Sequence, residues 1–149
     1  MKSIVKCIRP STPSDAPRLY EIWRGAVEAT HHFLSAEHLE LIAFQVKHQY
    51  LPEAGFQVVV DASDRPLAFM GMTGFTIDSL FVDPAFHGKG IGRLLIELAR
   101  RSHHTLYLDV NEQNPGARTF YERMGFRIVG RSEFDGEGRP YPLLHLRLN

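Results

Sequence analysis

No stretch of the chain narrows its architecture as much as Leu80 to Ala99, LFVDPAFHGKGIGRLLIELA. An apolar run stops at Asp83-Pro84, and glycines then alternate at 88, 90 and 92. Ile91, Leu94, Leu95, Leu98 and Ala99 follow at i, i+3, i+4, i+7 and i+8. The run reads as a strand and the periodic part as an amphipathic helix, with Arg93, Glu97 and Arg100 on its outer side. Three alternating glycines are more than a tight strand-to-helix turn requires. They let the backbone approach a ligand closely, and the unpaired N–H groups of the helix start attract an anion, a diphosphate being the natural occupant. The spacing is not G-x-x-x-x-G-K-[ST]. Nor is it G-x-G-x-x-G, because Arg93 stands three positions after Gly90.

The elements around this segment follow from period and punctuation. Ser3 to Arg9 reads as a short strand ended by Pro10, and Ser14 as the cap of a helix carrying Leu19, Ile22, Trp23 and Ala26. Ser35 caps a second helix with Leu39, Ile42, Ala43 and Val46 on one stripe, stopped by Pro52 to Gly55. Phe56–Val60, Leu67–Thr73 and Phe75–Val82 read as an antiparallel meander. Thr105 to Val110 alternates, with Leu106, Leu108 and Val110 on one face. A helix carrying Ala117, Phe120, Tyr121 and Met124 comes next, with Phe120 and Met124 read as core. Phe126–Ser132 and Leu143–Leu148 close the chain around the hairpin Phe134 to Tyr141. The order β-α-α-β-β-β-α-β-α-β-β contains a strand–helix–strand crossover, so some parallel pairing in a mixed sheet is expected. At 149 residues the chain suits a single domain over 1–149.

The second informative segment is NPGARTFYERMGF, Asn114 to Phe126. Asn114 before Pro115 is a helix start, and Gly125 suits a left-handed helix end. Tyr121 stands out as a phenol on an otherwise apolar face. Taken together, V-D-P-x-F-x-G-x-G-I-G-x-x-L-I and N-x-x-A-x-x-F-Y-x-x-x-G-F resemble the Gcn5-related N-acetyltransferase (GNAT) superfamily, most of all its small bacterial members. The motifs span Leu80 to Phe126, and the element order extends the likeness to nearly the whole chain. The resemblance implies an α/β (α+β) three-layer fold. A central mixed, mostly antiparallel sheet of about six to seven strands is flanked by four helices, with a splay between the fourth and fifth strands. It implies acetyl-CoA in that splay. Main-chain groups of Leu80, Phe81 and Val82 would pair with the pantetheine arm, and amides over Gly88, Lys89, Gly90, Ile91, Gly92 and Arg93 would hold the diphosphate. Asn114 would contact the pantetheine, and Tyr121 would point at the thioester sulfur. His87 departs from the family, which usually has Arg or Gln there.

Acetyl transfer to an amine asks for few groups. A lysine-like amine is neutral in only about one part in 2,500 at pH 7, so a proton acceptor is needed, in places through water. The oxyanion needs a donor, for which the Val82 N–H would serve. Tyr121 is the candidate acid for the leaving sulfur. Asp78 and Asp109 are the candidate bases, Asp109 because some ribosomal-protein N-terminal acetyltransferases carry an acidic residue there. Glu112 is a third choice. His31, His32 and Phe33 lie in the break between the first two helices, which in this family often borders the acceptor pocket.

Eight histidines and one cysteine, Cys7, form no metal-ligand spacing, so no metal is expected. Lys plus Arg is 17 and Asp plus Glu is 17, which offers no global attraction to nucleic acid or an anionic membrane. That balance weighs against an aminoacyl-tRNA-acetylating toxin. Retention of Tyr121 and Asn114 weighs against a non-catalytic acyl-CoA-binding module. No apolar run approaches a membrane span, and the N-terminus lacks a signal-peptide pattern. The expectation is a cytoplasmic acetyl-CoA-dependent N-acetyltransferase, monomer or homodimer. Its acceptor is a small amine, a peptide N-terminus or a lysine, and the amine attacks the thioester directly in a ternary complex.

Overall fold

The computed structural model describes residues 4–53 and 55–149. The expected strand start at Ser3, and Ala54 within the expected stop, lie outside the described residues. The elements are β1 Val5–Pro10, α1 Ala16–Thr30, α2 Ala36–Gln45, β2 Phe56–Asp61, β3 Pro66–Thr73, β4 Thr76–Val82, α3 Ile91–Ser102, β5 Leu106–Asn111, α4 Pro115–Arg123, β6 Arg127–Ser132 and β7 Leu143–Leu148. Seven strands form one sheet in the order β1-β2-β3-β4-β5-β7-β6. The pairs β1–β2, β2–β3, β5–β7 and β6–β7 are antiparallel, and β4–β5 is parallel. This is the mixed sheet with four helices that the crossover pattern predicts.

The chain divides into two compact units. One holds the described residues up to Gly71 together with Ser79–Ile96, and the other holds Met72–Asp78 and Glu97–Asn149. In the first unit, Leu19, Ile22, Trp23 and Val27 of α1 bury against Val58, Val60 and Phe69 of β2 and β3. Trp23 is therefore core, as its helical spacing predicts. β2 and β3 are buried along almost their whole length, so period 2 is faint in them. Between α2 and β2, residues Val46–Tyr50 form a single π-helical turn that no spacing signal announces. It delivers the Tyr50 hydroxyl to within 2.7 Å of Ser79 Oγ on β4. Ser79 Oγ in turn accepts the Gly71 N–H at 3.1 Å. Gly71 has no side chain because there is no room for one. A Cβ there would lie 2.5 Å from the Tyr50 hydroxyl and 2.9 Å from Ser79 Oγ.

In the second unit, Leu106, Leu108 and Val110 of β5 and Leu144, Leu146 and Leu148 of β7 are buried, as their alternation predicts. Tyr121, Phe126 and Tyr141 are buried in the same unit.

Several local expectations need correction. Ser14 does not cap a helix. It sits inside a 3₁₀ turn, Pro13–Asp15, whose start is held by the Asp15 carboxylate accepting the Thr12 N–H at 2.8 Å. Phe75 is not strand but an exposed turn residue after Gly74, which takes φ 58°. On α3 the buried face is Ile91, Leu95, Ile96 and Ala99, while Leu94 is 36% exposed. Leu and Ile at adjacent positions give a helical count two possible faces. Phe120 and Met124 are half-buried rather than core.

Candidate active site

The route into the glycine loop is set by an ion pair. Asp83 caps a 3₁₀ turn over Pro84–Phe86, its carboxylate accepting the Ala85 N–H at 3.0 Å. Arg18 of α1 donates to the same carboxylate at 2.6 Å and to the Pro66 carbonyl at 2.9 Å. Burial alone would raise the Asp83 carboxyl, but the hydrogen bonds from Arg18 and Ala85 hold it below the usual carboxylate range. The Asp83 N–H also donates to the Leu67 carbonyl at 2.9 Å. The loop therefore leaves β4 from a fixed point.

His87, Gly88, Lys89 and Gly90 are all exposed. Gly88 has φ 76° and Gly90 has φ 77°, the left-handed region in which any other residue is strained. A Cβ at either would meet nothing within 4 Å, so the requirement for glycine there is conformational within the protein and leaves space above the loop. α3 begins at Ile91, immediately after this alternation. The first N–H groups of a helix have no carbonyl partner inside it, so the loop presents donors and a positive dipole end together. Leu80, Phe81 and Val82, the last residues of β4, are half-buried, and the Phe81 ring lies 5.6 Å from Phe69.

In the second unit β4 pairs with β5 in parallel, Thr76 opposite Tyr107 and Ile77 opposite Leu108. Past β5, Asn114 is 9% exposed and caps α4, its Oδ1 accepting the Ala117 N–H at 3.3 Å. Its amide nitrogen is a donor with two N–H groups. Tyr121 is also 9% exposed, its ring 5.2 Å from Phe120 and 5.6 Å from Phe126. Its hydroxyl has no hydrogen-bond partner among the described residues. Burial pushes the phenol up to about 12, so it stays protonated throughout the physiological range.

The carboxylates read as candidate bases differ in their surroundings. Asp78 is exposed and accepts a hydrogen bond from the Thr73 hydroxyl across the β3–β4 hairpin. Glu112 takes two hydrogen bonds from Arg131, at 2.6 and 3.1 Å. That pairing lowers its carboxyl from the ordinary glutamate value. Asp109 lies opposite His145 in the β5–β7 register, and Asp109 Oδ1 is 2.6 Å from His145 Nδ1. His145 Nε2 is 2.7 Å from Ser132 Oγ on β6. His145 and Ser132 have no motif around them. The alternation of β7 assigns His145 to the face opposite Leu144 and Leu146, but its partners require strand register.

In the break after α1, His31 Nδ1 lies 2.7 Å from the Thr30 hydroxyl, and its ring is 5.2 Å from Phe33. Burial lowers the His31 pKa, with the His32 charge adding to the effect. His32 is exposed and its Nε2 lies 3.0 Å from the Ala29 carbonyl. Among the described residues no group of three or more His, Cys, Asp or Glu is placed to hold a metal ion. No helix among them is long and apolar enough to cross a membrane.

Residues 52–128 match the family described as the acetyltransferase (GNAT) domain. The peptidyl-lysine N-acetyltransferase YjaB of Salmonella typhimurium is 46% identical, over 93% of this chain and 95% of the relative. YjaB of Escherichia coli is 44% identical, over 96% and 97%. The solution structure of apo YjaB from Escherichia coli superposes with a TM-score of 0.92 at 43% identity, covering 97% of both chains. The glycine loop opening α3, the Asn114 cap and the Tyr121 phenol all lie within the matched residues 52–128, and the chain belongs to the GNAT acetyltransferase family.

Proposed function

We propose that this N-acetyltransferase moves the acetyl group of acetyl-CoA to the ε-amine of lysine in a peptide or protein. Residues 1–149 act as one N-acetyltransferase domain, in the cytoplasm, as a monomer or homodimer. The observation that carries the reading is the exposed Gly88–Gly90 alternation of left-handed residues feeding the start of α3. The exposed loop leads its backbone into a helix N-terminus, which is an anion site suited to a diphosphate. The names of the relatives at 46% and 44% identity favour lysine as acceptor over a small amine or a peptide N-terminus.

In this reading the amides from Gly88 to Arg93, with His87 and Lys89 beside them, hold the diphosphate. Main-chain groups of Leu80, Phe81 and Val82 and the amide nitrogen of Asn114 hold the pantetheine arm. His31, His32 and Phe33 line the acceptor side. The amine attacks the thioester carbonyl directly, and the Val82 N–H stabilises the oxyanion. Tyr121 then acts on the departing sulfur. A phenol at about 12 gives its proton to a thiolate of ordinary pKa about 8.5 only uphill, by roughly 5 kcal/mol. Its contribution is therefore a hydrogen bond to the developing negative charge. Such a bond is worth about 1.5–3 kcal/mol, roughly 10–150-fold in rate.

The test is thiol release from acetyl-CoA with a lysine peptide, for the native chain and Tyr121→Phe. The native chain should turn over, and the variant should lose at least about tenfold in kcat. Its acetyl-CoA affinity and melting temperature should stay close to native, because the hydroxyl has no partner among the described residues to lose. Equal kcat for the two would remove Tyr121 from the chemistry. No turnover with any lysine peptide would refute the acceptor.

A further inference from the structure

We infer that the chain Asp109–His145–Ser132 is the proton acceptor for the attacking amine. This rests on the acetyl-transfer reading and adds to it two residues, His145 and Ser132, that no motif marks. The three side chains come from adjacent strands, β5, β7 and β6, and lie in one hydrogen-bonded line. Asp109 Oδ1 is 2.6 Å from His145 Nδ1, and His145 Nε2 is 2.7 Å from Ser132 Oγ. A carboxylate at Nδ1 selects the tautomer with its proton there and leaves Nε2 as a lone pair. That lone pair is aimed at the Ser132 hydroxyl. The line is reachable from solvent, with the His145 side chain 36% and the Asp109 side chain 55% exposed. It also begins one residue past Leu108, which pairs with Ile77 of β4. The other two carboxylates are worse placed for the task. Glu112 is occupied by Arg131 and held low, and Asp78 is tied to Thr73 within its own hairpin.

The protons balance as follows. A lysine ammonium gives one proton to Ser132 Oγ while the Ser132 proton passes to His145 Nε2, and the imidazolium formed is stabilised by Asp109. The neutral amine attacks, the C–S bond breaks, and the second amine proton ends on the CoA thiol. The first leaves His145 to water. His145 and Ser132 are the acting groups, and Asp109 is a positioning residue.

The experiment is steady-state kinetics with saturating acetyl-CoA and a lysine peptide on His145→Gln, His145→Ala and Asp109→Asn. His145→Gln keeps a polar side chain of similar reach but accepts no proton, so kcat/KM for the peptide should fall about 10²–10⁴-fold. Acetyl-CoA affinity and melting temperature should stay near native. His145→Ala should regain turnover when imidazole is added, which a structural role would not allow. Asp109→Asn should also lose turnover, because an amide can favour the other tautomer. Turnover of His145→Gln within about twofold of native would overturn the inference and leave the acetyl-transfer reading intact. A native chain that binds acetyl-CoA but acetylates no lysine peptide would overturn both. Should His145→Ala melt early, His145→Gln and Asp109→Asn still decide the matter.

Discussion

Gly71→Ala places one methyl group where the structure has no room for it. The added carbon would sit 2.5 Å from the Tyr50 hydroxyl, 2.9 Å from Ser79 Oγ and 3.1 Å from the Phe56 ring. Gly71 has no positive φ, so alanine suits its backbone, and the smaller unfolded-state entropy favours the variant by about 0.4–1 kcal/mol. Against that stands overpacking in a buried strand, about 1–3 kcal/mol. Displacing the hydroxyl also strains the Tyr50–Ser79 hydrogen bond, worth about 1 kcal/mol. The net is a loss of roughly 1–3 kcal/mol, or about 3–9 °C in melting temperature for a chain of this length. Urea unfolding should show a lower midpoint with an unchanged slope. Tyr50→Phe deletes the nearest clashing atom, so Gly71→Ala in that background should cost at least about 1 kcal/mol less. Two results would refute the reasoning: Gly71→Ala within about 0.5 kcal/mol of native, or the same cost with and without the Tyr50 hydroxyl.

Gly90→Asp should weaken acetyl-CoA binding by well over tenfold in calorimetry, because it adds a side chain and a negative charge where a diphosphate must approach a left-handed residue; unchanged affinity in the folded variant would sink the cradle. Arg18→Ala should cost about 2–4 kcal/mol at neutral pH by stranding the half-buried Asp83 carboxylate. The folded Asp83 carboxyl is lowered, so its stabilisation is present above the unfolded pKa of about 3.9 and is lost as pH falls through the folded value. The gap between native and Arg18→Ala should therefore narrow in urea melts below about pH 4. Tyr121 shifts the other way. Its phenol is raised from 10.0 to about 12, so the native chain should lose stability as pH climbs between those values. The loss should reach roughly 3 kcal/mol, and Tyr121→Phe should not show it; parallel alkaline curves would mean that the phenol titrates normally.

The sequence alone determines what short-range physics controls. Gly88 and Gly90 take left-handed φ because only glycine does so cheaply. Asn114-Pro115 starts a helix because of what those two side chains do to their own backbone. Leu106, Leu108 and Val110 share a face because a strand repeats every two residues. The same periodicity is silent about register. It can put Asp109 and His145 on outward faces of β5 and β7, but not opposite one another, since they are 36 positions apart in the chain. It was also ambiguous on α3, where apolar neighbours allowed Leu94 or Ile96 to face inward and packing buried Ile96. The Tyr50–Ser79–Gly71 contact needs a π-helical turn and two strands to meet, and Arg18 reaches Asp83 from 65 positions away. Hydrogen bonds and excluded volume act over a few ångströms in space. Which residues they join, across tens of positions of chain, is settled when the strands pair and the helices pack.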